Sequence, residues 1–133
     1  KAFLALYLLS GLMGNLFVLV FSPLAVAAGA STALFGIFGA IASLRFIARS
    51  PYIHYLSQRY TSLILINILF SFMPGISLAG HLGGLVGGGL LAFVFPVYGE
   101  QDSVKKSWRL VALFLYTAGA ILLYAWPLLA QPF

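Results

Sequence analysis

Ser31 and His81 are the two residues of this sequence best suited to do chemistry together. A serine hydroxyl is a weak nucleophile until a base takes its proton, and a neutral imidazole suits that task near pH 7. Other partners for the serine are few, because Glu100 and Asp102 are the only acidic residues and every lysine lies at residue 1 or at residues 105–106. Which of these groups can reach Ser31 depends on the elements that carry them.

Composition indicates that these elements are membrane helices. The 133 residues are 62% hydrophobic and only 7% charged, with a mean hydropathy of +1.08, whereas a soluble domain carries roughly 25% charged residues. Charge is absent between Lys1 and Arg45, between Arg59 and Glu100, and after Arg109. The first two stretches are each about twice the ~20 residues that cross a bilayer, and the last is about one such length. We therefore expect an all-α, polytopic membrane bundle of five helices.

Two breaks divide the long uncharged stretches. Ser22-Pro23 interrupts the first stretch and Met73-Pro74-Gly75 the second, as helix-stopping residues do. The whole chain, residues 1–133, is thus predicted to be a single membrane domain with helices at about residues 3–21, 25–48, 61–72, 78–98 and 108–126.

The basic residues predict the orientation of this bundle. They lie at Lys1, in the segment Arg45–Arg59 and in the segment Glu100–Arg109, whereas the loops between these segments carry no charge. Basic residues in alternate loops are typical of cytoplasmic loops. We expect a multi-pass protein of the cell membrane with these segments in the cytoplasm and with the lipid bilayer as a partner. The net charge of +5 is then explained by the orientation of the helices in the membrane. It does not indicate a nucleic-acid partner.

This orientation selects the base for Ser31. With 1.5 Å of rise per residue, Ser31 is predicted roughly 9 Å below the outer boundary and His81 about 5 Å below it. His54, the acidic residues and the lysines fall at the cytoplasmic side. A Ser-His-Asp triad and a Ser-Lys pair are thereby excluded, and a Ser-His dyad near the outer face remains.

The helix faces agree with a dyad. Ser31 shares a face with Phe35 and Phe38, and His81 shares a face with Gly84 and Gly88. Glycines on a membrane helix allow a neighbouring backbone to approach closely, and Gly36 and Gly39 offer such a neighbour on the serine helix. Phe35, one turn after the serine, is predicted to pack against the imidazole.

Each feature also has a simpler interpretation. Ser31 near a helix start is typical of a helix cap, and His81 inside a membrane also fits a proton relay. The glycines taken alone indicate only tight packing. Their joint placement at one depth and on facing surfaces favours chemistry.

Several stretches resemble the rhomboid family of intramembrane serine proteases. They are Gly29-Ala30-Ser31 with the following "TALFGIFGA", the later "GHLGGLVGGGL", the "GNL" around Asn15, and "LINILFSFMPGIS" ending at Ser77. In that family a GxSG-type motif supplies the nucleophile, and a histidine followed by glycines at +3 and +7 supplies the base. The matching positions here are Ser31, His81, Gly84 and Gly88.

The resemblance implies a rhomboid-like fold and an intramembrane endopeptidase that cleaves transmembrane segments of membrane proteins near the outer face. Ser31 would attack the carbonyl and its own backbone N–H would hold the oxyanion, with Gly29, Phe35, Gly84 and Gly88 as packing around the site. The segment Phe70–Ser77 would cap the site, and the helix before it would move sideways to admit substrate. No metal or cofactor is implied.

The sequence departs from the family pattern in two ways. Thr32 follows the serine where glycine is usual in the family; a β-branched side chain has the bulk to crowd the nucleophile or the backbone donor beside it, while the hydroxyl and the base remain, so its effect on activity is left open. The family's first two helices and the oxyanion residues they carry are not in this chain, so we expect a C-terminal portion whose partners include the missing N-terminal helices of the same protein. Asn15 and Asn67 are interpreted as interhelical hydrogen-bonding residues. An inactive rhomboid-like protein that binds membrane proteins and a proton-coupled transporter fragment remain as alternatives.

Overall fold

The computed structural model of the chain describes residues 1–25, 30–95, 97, 99–100 and 102–130. These residues form five helices: α1 (Ala2–Phe21), α2 (Ser31–Ile47), α3 (Pro51–Phe70), α4 (Leu78–Val94) and α5 (Lys106–Leu129). No strand occurs within the described ranges. The all-α prediction is therefore confirmed for them.

Two of the helices have the length and composition of membrane spans. They are α1, with 20 residues, and α5, with 24 residues. Helices α2 and α4 are apolar but shorter, with 17 residues each. By length and composition these two helices are apolar enough to cross a membrane, while the number of crossings stays a prediction.

The predicted starts of two helices were wrong, and α4 ends at Val94 rather than near residue 98. Helix α3 begins at Pro51 rather than near residue 61, because proline at the first helical position is pre-organised for a helix start and the segment that follows, including Arg59, continues the helix. Arg45 and Arg59 are therefore helical, and the connection between α2 and α3 is only residues 48–50. Helix α2 begins at Ser31, whereas its predicted start, Ala25, is not helical.

Helix α4 is the centre of the bundle and presents glycines to two neighbours. Gly83 and Gly87 face α1, where an added Cβ would lie 2.6 Å from Phe17 and 2.7 Å from Met13. Gly84 and Gly88 face α2. An added Cβ there would lie 2.0 Å from the carbonyl oxygen of Thr32 and 1.8 Å from that of Gly36. The matching four-residue steps show that α2 and α4 run parallel.

Helices α3 and α5 lie at the edge of the bundle. Ser57 and Ile64 are the buried residues of α3, and the Ser57 hydroxyl donates a hydrogen bond of 2.6 Å to the carbonyl of Ile41 on α2. Helix α5 packs through Tyr116, which joins Met13 of α1 and Leu91 of α4 in one buried cluster and donates a hydrogen bond of 2.7 Å to the carbonyl of Leu9. Both peripheral helices thus depend on a few side chains.

The end of the bundle where α2 stops and α3 starts is joined by polar contacts. The Glu100 carboxylate accepts hydrogen bonds from the backbone N–H groups of Arg49 (2.7 Å) and Ser50 (2.8 Å). The Arg49 guanidinium donates to the carbonyl of Asp102 at 2.9 Å. The two basic segments predicted to be cytoplasmic therefore lie side by side, at the end opposite to the first turns of α2 and α4.

Candidate active site

Ser31 and His81 both lie in the first turn of their helices. Ser31 is the first residue of α2, and His81 is the fourth residue of α4. Because α2 and α4 run parallel, both first turns lie at the same end of the bundle. Both side chains line one cavity of about 220 Å³, together with Leu34, Phe35, Phe38, Asn67, Phe70, Ser71 and Ile76.

The His81 ring is held against an aromatic side chain. Phe35, one turn after Ser31, stacks on it with 3.9 Å between the ring centroids and 10° between the planes. His81 is only 7% exposed. The stacking leaves the edge of the imidazole, which carries its two nitrogens, as the part able to hydrogen-bond.

Ser71 is the side chain that contacts the imidazole edge. Its Oγ lies 2.6 Å from His81 Nδ1, and its side chain is buried at 2% exposure. Sequence reasoning missed this residue, because Ser71 was interpreted only as part of a capping loop. The available signal was a hydroxyl at the end of an apolar helix, ten residues before the histidine.

Among the described residues, the hydrogen bond to Ser71 is the one that the His81 ring makes. The hydrogen bond between Ser31 and His81 stays a prediction. The shared cavity places the two side chains around one space, where a reacting group can lie against both.

The backbone N–H of Ser31 lies at the N-terminal end of α2. The first N–H groups of an α-helix have no acceptor within the helix, and the helix dipole is positive at this end. Ser31 is the first residue of α2. A developing oxyanion beside the Ser31 hydroxyl would thus lie at the favourable end of α2.

Thr32 points away from the cavity. Its side chain is 7% exposed and lies between α1 and α4: an added Cβ on Gly14 would be 2.9 Å from Thr32 Cβ, and one on Gly80 would be 2.7 Å from Thr32 Cγ2. Two glycines thus supply the space for the β-branched side chain. Among the described residues, the Thr32 side chain therefore does not crowd the cavity that Ser31 lines.

The remaining predicted residues are distributed as follows. Gly84 and Gly88 lie between α2 and α4 and do not line the cavity. Asn67 lines the cavity and donates to the carbonyl of Leu63 on its own helix at 2.8 Å, and Asn15 is exposed. Gly29 lies outside the described residues.

Comparison with known proteins identifies the family. The model of the Rhomboid domain matches residues 1–97. The rhomboid protease GluP of Bacillus subtilis (strain 168) is 38% identical over 87 residues, which cover 65% of this chain and 17% of that protein. RHOMBOID-like protein 1 of Arabidopsis thaliana is 36% identical over 99 residues, which cover 71% of this chain and 25% of that protein. Rhomboid-like protease 3 of Toxoplasma gondii is 32% identical over 115 residues, which cover 84% of this chain and 43% of that protein.

The chain belongs to the rhomboid family. The family match includes α1 to α4 and ends before α5. The chain spans less than half the length of each of these three relatives. No solved structure matches it.

Proposed function

We propose that this chain carries the nucleophile and the base of an intramembrane serine endopeptidase. The observation that carries the proposal is that Ser31 and His81, fifty residues apart, line one cavity at the end of two parallel helices. The names of two of its relatives, the rhomboid protease of Bacillus subtilis and the rhomboid-like protease of Toxoplasma gondii, support the same activity.

The reaction begins with attack of the Ser31 hydroxyl oxygen on the carbonyl carbon of the scissile peptide bond. His81 Nε2 accepts the hydroxyl proton, and the carbonyl electrons move to its oxygen. That oxyanion is stabilised by the backbone N–H of Ser31 at the start of α2. One such donor contributes on the order of 10²–10³ in rate.

Collapse of the tetrahedral intermediate breaks the C–N bond, and His81 returns its proton to the leaving amine. Water then attacks the ester on Ser31 and gives a proton to His81. Breakdown of the second intermediate releases the acid, and the proton returns to the Ser31 oxygen. The cycle needs no group beyond the serine, the histidine and water.

We propose that the substrates are transmembrane segments of membrane proteins, cut near the outer face. The basic segments meet at the other end of the bundle, which supports a cytoplasmic position for them and an outer position for the site. Helix α3 buries only Ser57 and Ile64 and contributes Asn67 and Phe70 to the cavity. Its sparse packing supports a route for substrate past this helix.

The test is labelling by a fluorophosphonate probe in the membranes of the native host, with any flanking sequence retained. We expect modification at Ser31 that is lost in both Ser31→Ala and His81→Ala, because the hydroxyl is unreactive without its base. Ser107→Ala is the control, since this exposed serine lies at the start of α5. Labelling that persists in His81→Ala would overturn the assignment of the base.

An assembled chain that never labels would overturn the proposal in favour of an inactive rhomboid-like protein. Thr32 packs against Gly14 and Gly80, so it supplies no steric reason for inactivity. Proton-coupled flux that requires His81 but not Ser31 would likewise overturn it, in favour of a transporter.

A further inference from the structure

The Ser71 hydroxyl lies between two hydrogen-bonding atoms. Its Oγ is 2.6 Å from His81 Nδ1 and 2.9 Å from the backbone carbonyl oxygen of Asn67. Ser71 is 2% exposed and His81 7% exposed, so this hydroxyl is shielded from water. The protons carried by Ser71 and His81 therefore decide the direction of the two hydrogen bonds.

Counting protons assigns the direction of each hydrogen bond. A hydroxyl has one proton to donate, and a carbonyl oxygen can only accept. At 2.9 Å from Asn67, the Ser71 oxygen needs its proton on that side, because two oxygens at this distance with no proton between them repel each other. Serine at the end of a helix commonly donates to the carbonyl four residues earlier, which is the relation of Ser71 to Asn67.

Ser71 is then an acceptor toward His81. The ring nitrogen that faces it, Nδ1, must carry the proton of the neutral imidazole. The other nitrogen, Nε2, is left with a free lone pair, which is the form that a base for Ser31 requires.

We propose that Ser71 is a positioning residue that holds His81 in the Nδ1–H tautomer. Together with the Phe35 stacking, it sets both the plane of the imidazole and the nitrogen that is free to accept a proton. The inference deepens the proposed function and rests on it for its role in catalysis. The tautomer itself is a property of the resting protein, whether or not the protein cleaves a substrate.

The placement of Ser71 gives α3 a part in the site. Ser71 directly follows α3, and its backbone N–H bonds to the carbonyls of Asn67 and Ile68 in the last turn. Helix α3 has little other buried contact. A displacement of its end would therefore remove the acceptor from Nδ1 and release the ring from its tautomer.

The direct test is nuclear magnetic resonance of ¹⁵N-labelled histidine, which distinguishes a protonated ring nitrogen from an unprotonated one. His54→Gln gives a background in which His81 is the one histidine within residues 1–133, and His54 lies on α3 outside the cavity lining. We expect a protonated Nδ1 and an unprotonated Nε2 in this background at a pH where the ring is neutral. A protonated Nε2 would overturn the inference, and no change at Ser71 is needed to see it.

Variants at residue 71 provide the second test. Ser71→Ala removes the acceptor and should raise the population of the Nε2–H tautomer, whereas Ser71→Thr keeps a hydroxyl and should preserve Nδ1–H. Ser77→Ala is the matched control, because Ser77 caps α4 by accepting from Gly80 N–H at 3.1 Å and does not touch the ring. A tautomer that is unchanged in a folded Ser71→Ala protein would overturn the inference.

Kinetics separate this inference from the proposed function. In a cleaving enzyme, Ser71→Ala should lower kcat roughly ten-fold with KM unchanged, and Ser71→Thr should restore it. If the enzyme is active and Ser71→Ala leaves kcat unchanged, the positioning role is overturned and the proposed endopeptidase activity is not. The opposite outcome is a protein whose tautomer depends on Ser71 but whose Ser31 is never labelled by the fluorophosphonate probe. That result would support the tautomer assignment and overturn the proposed endopeptidase.

Discussion

Helices α2 and α4 meet through their backbones, whereas α3 is attached to the bundle by side chains. At the α2–α4 contact, Gly36 and Gly88 lie so close that a methyl group has no room. Eight residues of α4 are buried, against two of the 20 residues of α3. The α3 attachment relies on hydrogen bonds such as that from Ser57 to Ile41.

The residues around the cavity are carried by helices that are held with different firmness. Ser31 and His81 are carried by the two helices whose separation is set by backbone contact, and such a contact has little freedom to relax. Ser71, which contacts the imidazole, is carried by the loosely held helix. The molecule thus combines two closely packed helices, which carry Ser31 and His81, with a more loosely held helix that leads to Ser71, the hydrogen-bond partner of His81.

Gly88→Ala should have the largest effect on this arrangement. The new Cβ would lie 1.8 Å from the Gly36 carbonyl oxygen, and a backbone atom cannot rotate away, so α2 and α4 must separate. We expect a loss of about 3 kcal/mol or more in the free energy of unfolding, measured by reversible unfolding in bicelles. Gly119→Ala on α5 is the control, because nothing lies within 4 Å of its Cβ position.

Gly36→Ala should have a somewhat smaller effect that a second change can reverse. Its Cβ would meet Ser10 Oγ at 1.9 Å and Ser10 Cβ at 2.2 Å, which are side-chain atoms. We expect a loss of about 2–3 kcal/mol in unfolding free energy. Ser10→Gly in the same chain should recover most of it. An equal recovery of Gly88→Ala by Ser10→Gly would contradict the distinction between backbone and side-chain contacts.

Ser57→Ala should weaken the attachment of α3 and leave the α2–α4 contact intact. It removes the hydrogen bond of 2.6 Å to Ile41, for an expected loss of about 1 kcal/mol. Amide hydrogen exchange should rise along α3 and stay unchanged in α4, because only the peripheral helix opens. Ser62→Ala, at an exposed position of the same helix, should change neither; exchange that rises equally in α4 would show that the two regions are not separable.

Glu100→Gln should have the smallest effect. The neutral amide keeps one acceptor oxygen, whereas the carboxylate uses two for the N–H groups of Arg49 and Ser50. We expect a loss of about 0.5–1 kcal/mol, confined in hydrogen exchange to the start of α3. Asp102→Asn should show no change, since Arg49 bonds to the backbone carbonyl of Asp102. Loss of exchange protection throughout the bundle would refute a local role for Glu100.

The prediction of elements succeeded where composition is extreme and failed where it is mixed. The uncharged stretch before Ser22 contains most of helix α1 and the one after Arg109 forms most of helix α5, because an apolar run of that length has few other structures in a membrane. The start of α3 was missed because Arg59 and its polar neighbours were interpreted as a loop. Helix formation depends on backbone hydrogen bonds, which charged side chains at a helix surface do not prevent.

The lining of the cavity was likewise predictable in part. Ser31, His81 and Phe35 were identified from residue type and helical spacing, which report what shares a face of one helix. Ser71 and the orientation of Thr32 were not, since both depend on which atoms of a neighbouring helix lie opposite. Spacing along one helix carries no information on its rotation against another.

The sequence by itself determined an apolar helical chain, the family to which it belongs, and the residue types available for a nucleophile and a base. Only the tertiary structure decided that the hydroxyl of Ser71 meets Nδ1 of His81, that two glycines make room for Thr32, and that α3 is held less firmly than α4. The reason is physical: local composition and hydrogen bonding determine where a helix forms, whereas the contacts between helices depend on how closely their backbones can approach.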